Sequence, residues 1–305
     1  MSSAVQVLTT PEERQAETAR TANGHAVLGY LRRNPSLGVG LFLLLILLLF
    51  VVIGHFTVDT IEFRPLSTRP LQPPSRELPF GSDKQGRNLY AVMVEGTPLT
   101  LRIGLLAGVI GVTLGATLAF VSGYYGGAID NVIRTVVDVG LTIPGLLILI
   151  IIAMRVRGGL TVDQMALVVG LLAWLYPART IRSQVLSIKQ RGYVQIARLS
   201  GMSNPEVIVR ELLPNLLPYL GASLVGSVSA AILASIGLEV LGLGPFEAPT
   251  LGMTIYWVVY NAAIINGWWW WWVPPIIVIA ILFTGLFLVA VGLDEIANPR
   301  VRIRA

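Results

Sequence analysis

Residues 192–215 read GYVQIARLSGMSNPEVIVRELLPN. This polar, basic stretch stands between two long apolar runs. Antiparallel helices are usually joined by about 2–8 residues, so an insert this long and this patterned calls for a structure of its own. Tyr193, Ile196, Ala197 and Ser200 fall at i, i+3, i+4 and i+7, one face of a helix, with Arg191 and Arg198 off that face. Gly201 suits the left-handed position that ends a helix. Ser203 can cap a second start, with Pro205 in the first turn and Glu206 three residues after the cap, a capping-box arrangement. Pro214, followed by Pro218, is expected to stop this second helix. The expectation is helix, glycine turn, helix: a rigid elbow at a membrane surface. The plainer alternative is an amphipathic loop resting on lipid headgroups.

Outward from the insert the chain is apolar. Of its 305 residues 54% are hydrophobic and 13% charged, against about 25% charged in a soluble domain. A helix needs about 20 apolar residues to cross the hydrocarbon core. Six runs qualify as candidates: 37–53, 103–122, 132–154, 164–181, 216–238 and 269–293. The third carries Arg134 and Asp138 near its start, four apart and able to pair. The fourth has an uncharged stretch of only 15 residues, Gln164 to Ala178. The fold class that follows is an all-α polytopic membrane protein, six transmembrane helices with the elbow loop between spans four and five. The expected division is a tail over 1–36, a first membrane helix over 37–57, and an extracytoplasmic segment over 58–100. A five-helix core over 101–293 follows, containing the loop 183–215, and a second tail occupies 294–305.

Charge sets the expected orientation. The first 30 residues are polar, without the apolar core of a signal peptide. Arg32 and Arg33 precede the first span, and Arg179, Arg182, Lys189, Arg191, Arg198 and Arg210 follow the fourth. Arg300, Arg302 and Arg304 end the chain, whereas 246–268 has no lysine or arginine. Basic loops stay inside, so both termini and the elbow are expected in the cytoplasm. The segment 55–100 balances Arg64, Arg69, Arg76, Lys84 and Arg87 against Asp59, Glu62, Glu77, Asp83 and Glu95, which a strict charge bias would not produce outside. The net charge of +5 is explained by loops facing the cytoplasm, and no nucleic-acid partner is implied.

Several chemistries have no residues to carry them. There is no cysteine, and the two histidines, His25 and His55, have no second ligand nearby, so no metal or other cofactor is expected. The only lysines, Lys84 and Lys189, lie outside any GxxxxGK[ST] phosphate loop, so the chain is not expected to hydrolyse ATP. Deep intramembrane charges, which ion-coupled carriers need, are scarce. Glu239 and Arg102 are expected at the membrane interface. Gly104, Gly108, Gly111 and Gly115 in the second span suit close helix packing, and Pro144 should kink the third span. Five consecutive tryptophans, Trp268 to Trp272, read as an aromatic belt at the start of the sixth span, with stacking on sugar rings as the sharper alternative.

The elbow resembles the cytoplasmic loop of ATP-binding-cassette import permeases, of form EAA-x3-G-x9-I-x-LP. Ala197, Gly201, Leu213 and Pro214 match it, while Gln195 stands for its glutamate, Ile196 for an alanine and Glu211 for its isoleucine. Over about residues 80–300 the chain looks like the second-permease branch of the dipeptide, oligopeptide and nickel importers. The supporting motifs are GSDKQGRN at 81–88, Gly123-Tyr124 with Gly126, Gly127 and Asp130, Asp138 with Pro144, Gly237-Leu238 with Leu241 to Gly244, and Asn298-Pro299-Arg300.

The resemblance implies a bacterial or archaeal inner-membrane permease, half of a translocation path, with no catalytic residue of its own. Its implied partners are a homologous second permease, two cytoplasmic ATP-binding subunits, an extracytoplasmic solute-binding protein and membrane lipid. It assigns ATPase coupling to Gln195, Ile196, Ala197, Gly201, Ser203, Glu206, Leu213 and Pro214. The implied solute is a di- or oligopeptide or, because of the tryptophans, a β-linked oligosaccharide. Two readings of other classes are an ion-coupled transporter or channel, which would need buried charge pairs, and a membrane scaffold, which would need no elbow.

Overall fold

The computed structural model describes residues 34–156 and 159–297. The arginines expected to anchor the two tails and the Asn298-Pro299-Arg300 motif lie outside the described residues. Within them every regular element is helical apart from one isolated bridge, Ser82 with Asn88. Four helices are long and apolar enough to cross a membrane, and two bent pairs raise the number to as many as six if each counts as one span.

Helix α1 (Pro35–Thr57) starts with proline in its first turn, where a missing N–H is harmless. It turns Phe42, Leu45, Leu49 and Ile53 outward, as a helix bathed in lipid would. After a 3-10 turn (Thr60–Phe63), α2 runs over Leu89–Tyr125, with Asn88 Oδ1 accepting from the Tyr90 N–H at 3.0 Å as its cap. Thus α2 begins fourteen residues before the apolar run that announced it, and only 58–88 of the expected outer segment lies outside an α-helix. At 1.5 Å per residue its 37 residues span about 55 Å, well beyond a core of about 30 Å.

The expected third span is two helices, α3 (Gly127–Thr142) and α4 (Gly145–Ala153), bent 81° at Ile143–Pro144. Both break residues are extended (ψ 130° and 110°), so Pro144 ends one helix and begins another rather than kinking a continuous one. The fourth is also two, α5 (Val162–Ala173) and α6 (Leu175–Ile188), bent 42°. Pro177 has no N–H for the Ala173 carbonyl one turn back, which accounts for this bend. Gly111 and Gly115 of α2 receive the bend: an added Cβ would lie 2.8 Å from Ala173 and from the Trp174 carbonyl. Gly104 and Gly108 meet Ile232 and Val228 of α9 (Leu213–Val240) in the same way. The four glycines therefore seat α2 between its neighbours at the centre of the bundle.

Two short helices, α7 (Gly192–Leu199) and α8 (Asn204–Val207), precede α9, and they mark the elbow end of the bundle. Helix α10 (Leu251–Tyr260) and the start of α11 (Trp269–Ala297) mark the opposite end. Ten residues are too few for α10 to span. It is pinned instead: Thr250 Oγ1 caps it at Met253 N (3.3 Å) and donates to Glu239 Oε2 at 2.6 Å, and the Leu251 N–H donates to Thr100 Oγ1 at 2.9 Å. Glu239 is therefore fully buried beneath the α10 N-terminus. Arg102 does face out, paired with Asp163 at 2.8 Å, both more than half exposed.

The tryptophan run also departs from a simple belt. Trp271 is fully buried, and Trp268, Trp270 and Trp272 pack with Leu89, Leu71, Phe80 and Trp257. Only Trp269 of the five is largely exposed. The GSDKQGRN loop closes over this cluster. Asp83 accepts from the backbone N–H groups of Gln85 and Arg87 at 2.9 Å and from Arg87 Nε at 2.5 Å, while Trp270 Nε1 donates to the Ser82 carbonyl at 3.2 Å.

Candidate functional site

At the elbow, α7 ends in a left-handed glycine. Gly201 has φ +85°, its N–H donates to the Arg198 carbonyl at 3.1 Å, and the Met202 N–H reaches back to the Ala197 carbonyl at 3.2 Å. These are the two bonds of a Schellman turn, with Met202 and Ala197 in one apolar cluster as its usual hydrophobic contact. Nothing lies within 4 Å of a Cβ placed on Gly201, so the turn and not crowding inside the chain demands glycine.

The second arm differs from expectation. Ser203 occupies the cap position, but its side chain makes no capping bond, and Glu206 reaches forward to Arg210 at 2.7 Å rather than back to the cap. Pro205 removes one of the first-turn donors that a cap would satisfy, and an arginine one turn ahead is the stronger partner for the carboxylate. Nor does the helix stop before Pro214. Residues Ile208–Leu212 form a π turn in which the Leu213 N–H bonds the Ile208 carbonyl five residues back, and α9 continues through Pro214 and Pro218. The wider turn accommodates a proline ring that would clash in α-helical register. The elbow's second arm and α9 are therefore one apolar rod, Asn204–Val240.

The apolar face of α7 is also displaced from the one expected. Val194 and Ala197 point inward, packing with Phe120, Ile181, Val185, Val207 and Leu212. Ile196 is 64% exposed and Leu199 88%, and Tyr193 stands beside them. Of the sequence-assigned residues, Gln195, Ile196, Gly201 and Ser203 lie at the exposed tip, Ala197 faces the core, Leu213 is half-buried, and Pro214 is exposed on the rod.

Sequence reasoning singled out Tyr124 only as part of a motif, yet it holds the elbow to α2. Its hydroxyl and Asn204 Oδ1 are 2.9 Å apart, the phenol donating. The Arg198 guanidinium lies 4.7 Å and the Lys189 ammonium 5.5 Å from its ring centroid. Lys189 also donates to the Gly123 carbonyl at 3.3 Å and to that of Tyr124, and burial pushes its ammonium below the usual lysine range. Beyond the adjacent Gly126–Gly127 break, Asp130 and Arg182 make a two-bond pair at 2.5 Å, joining α3 to α6. The elbow thus touches α2, α6 and α9 together.

A groove of about 850 Å³ opens among α3, α4, α5, α6, α9 and α11. The α9 wall is small (Ala222, Gly226, Ala230, Ala234, Gly237), and the remainder is largely Leu, Ile and Val. Its polar side chains are Tyr176, Thr180, Tyr219, Ser223, Ser227 and Asp294. No group of three or more acidic or histidine side chains among the described residues could hold a metal ion.

The family described as binding-protein-dependent transport system inner membrane component matches residues 111–303. The dipeptide transport system permease protein DppC of Bacillus subtilis is 31% identical over 272 residues, covering 89% of this chain and 84% of that protein. A putative peptide transport system permease protein of Brucella suis is 30% identical over 275 residues, 90% of each chain. The oligopeptide transport system permease protein OppC of Mycobacterium bovis is 30% identical over 189 residues, 62% of this chain and 64% of its own. The family match takes in the elbow, the bent pair α5–α6 and the groove, and on it the chain belongs to the inner membrane components of binding-protein-dependent transport systems.

Proposed function

We propose that this chain is the permease subunit of an ATP-driven, binding-protein-dependent importer and forms half of the path for di- or oligopeptides. The observation that carries the proposal is the elbow tip. Ile196 and Leu199 stand exposed on a helix that α2, α6 and α9 hold rigidly. A stiff apolar tip suits docking into a groove on an ATPase subunit, and the rod Asn204–Val240 would carry that subunit's movement into the membrane. Arg179, Arg182, Lys189, Arg191, Arg198 and Arg210 cluster at this end, which supports a cytoplasmic elbow.

The groove supplies one wall of a path, so a homologous second permease would face it. Two ATP-binding subunits would supply the energy, and a solute-binding protein would deliver cargo at the opposite end. Peptide is favoured over β-linked oligosaccharide by the names of the relatives and by the tryptophans, four of which pack against the chain itself.

The test is gentle affinity purification from the native membrane with mass spectrometry of what remains bound. A second permease together with one or two ATPases is expected. Recovery of the chain alone, or as a homo-oligomer, under conditions that preserve other membrane complexes would refute the assignment.

A further inference from the structure

The groove carries one charge. Among the described residues Asp294, near the end of α11, is its only carboxylate, and no lysine, arginine or histidine lines it. Among the described residues no cation lies within ion-pair distance of Asp294, although Asp130, Asp138, Asp163, Asp83 and Glu206 each have one. Tyr219 and Thr180 line the groove with Asp294, and the Thr180 hydroxyl donates to the Tyr176 carbonyl at 3.2 Å. Tyr176, on the same turn as Thr180, completes a polar station at the elbow end of an otherwise apolar groove. Elsewhere the wall offers only the hydroxyls of Ser223 and Ser227.

We infer that this station takes the cationic group of the cargo, for a peptide its α-ammonium, as the cargo leaves the groove. The inference rests on the importer reading and sharpens its substrate class. Asp294 is exposed, so a cation can reach its carboxylate, which has no cation beside it among the described residues, and the apolar walls add modestly to the attraction it would exert in bulk water. Two phenols and a hydroxyl add acceptor oxygens for the remaining ammonium protons. The apolar walls accept varied side chains without selecting among them, so the charge is the selective element. A neutral sugar would gain nothing from it.

The test uses the whole importer, with its partner subunits and binding protein, reconstituted in liposomes. Uptake of trialanine is compared with that of N-acetyl-trialanine for the unaltered chain, Asp294→Asn and Asp294→Glu. The groove-lining position lets either variant assemble, which co-purification of the partners checks. Asp294→Asn should raise KM for trialanine about tenfold, leave N-acetyl-trialanine unchanged, and be largely rescued by Asp294→Glu. Equal effects on both peptides, or none, would overturn the inference and leave the importer reading intact. If the unaltered importer carries neither peptide but carries cellotriose, the peptide reading falls, and the inference with it.

Discussion

The two ends of the bundle arrange apolar side chains differently. At the α10 end an aromatic core packs on itself: Trp271 is fully buried, the loop 58–88 folds over its neighbours, and Glu239 is hidden beneath α10, while Leu66 and Ile265 stay exposed outside that core. At the elbow end a short helix on a rigid base leaves Ile196 and Leu199 in the open. Apolar surface on an ordered support marks a place where another molecule completes the packing. The contrast separates an end built round a packed aromatic core from one whose exposed apolar residues sit on a short, well-supported helix.

Breaking the aromatic core of the α10 end should have the largest effect on stability. Trp271→Ala should remove about 3–5 kcal/mol, read as a lower unfolding temperature in detergent and as new protease cuts within 58–88. An unchanged unfolding temperature would mean that the tryptophan cluster is not structural. The elbow should behave in reverse. Gly201→Asp strains a left-handed turn by about 1 kcal/mol but meets open space, so the chain should fold and assemble. Uptake should nevertheless fall about tenfold or more while ATP hydrolysis continues. Normal uptake in this variant would remove the coupling role from the elbow.

Tyr124 sharpens the comparison because it joins the elbow to α2. Tyr124→Phe loses the bond to Asn204, worth about 1 kcal/mol. Tyr124→Leu also loses the ring under Arg198 and Lys189, worth about 1 kcal/mol more. The ratio of ATP hydrolysed to solute imported should rise in that order, and equal ratios would show that the ring does not transmit the elbow's movement. The smallest effect belongs to the exposed pair of Arg102 and Asp163. Arg102→Ala should change stability by about 0.5 kcal/mol or less, visible only as a slight shift in unfolding temperature.

Much of this architecture was legible because long apolar runs and fixed turn residues are local signals. The runs located the long helices, and Gly201 marked the elbow's turn at the right residue. The breaks at Pro144 and Trp174 were not legible as breaks, since a hydropathy window adds up both sides of a bend. Helix α10 was missed because ten apolar residues fall below the length of a span, and its anchor, Glu239, lies across a turn in sequence. The expected pairing of Ser203 with Glu206 failed to an arginine one turn ahead. At the site, spacing found the tip but not Tyr124, which lies 80 residues from its partner Asn204.

The π turn at Ile208–Leu212 bears on the direction in which the elbow points. A π turn holds one residue more than the α-helix around it, and one residue is worth about 100° of rotation about the helix axis. The azimuth at which the elbow points is thus set by a single-residue insertion, independently of the side chains at the tip. Deleting Val209, which is exposed on the π turn, would spare the buried side chains of Val207 and Leu212. It would swing Ile196 and Leu199 by more than a quarter of a circle, aiming an intact elbow at the wrong place.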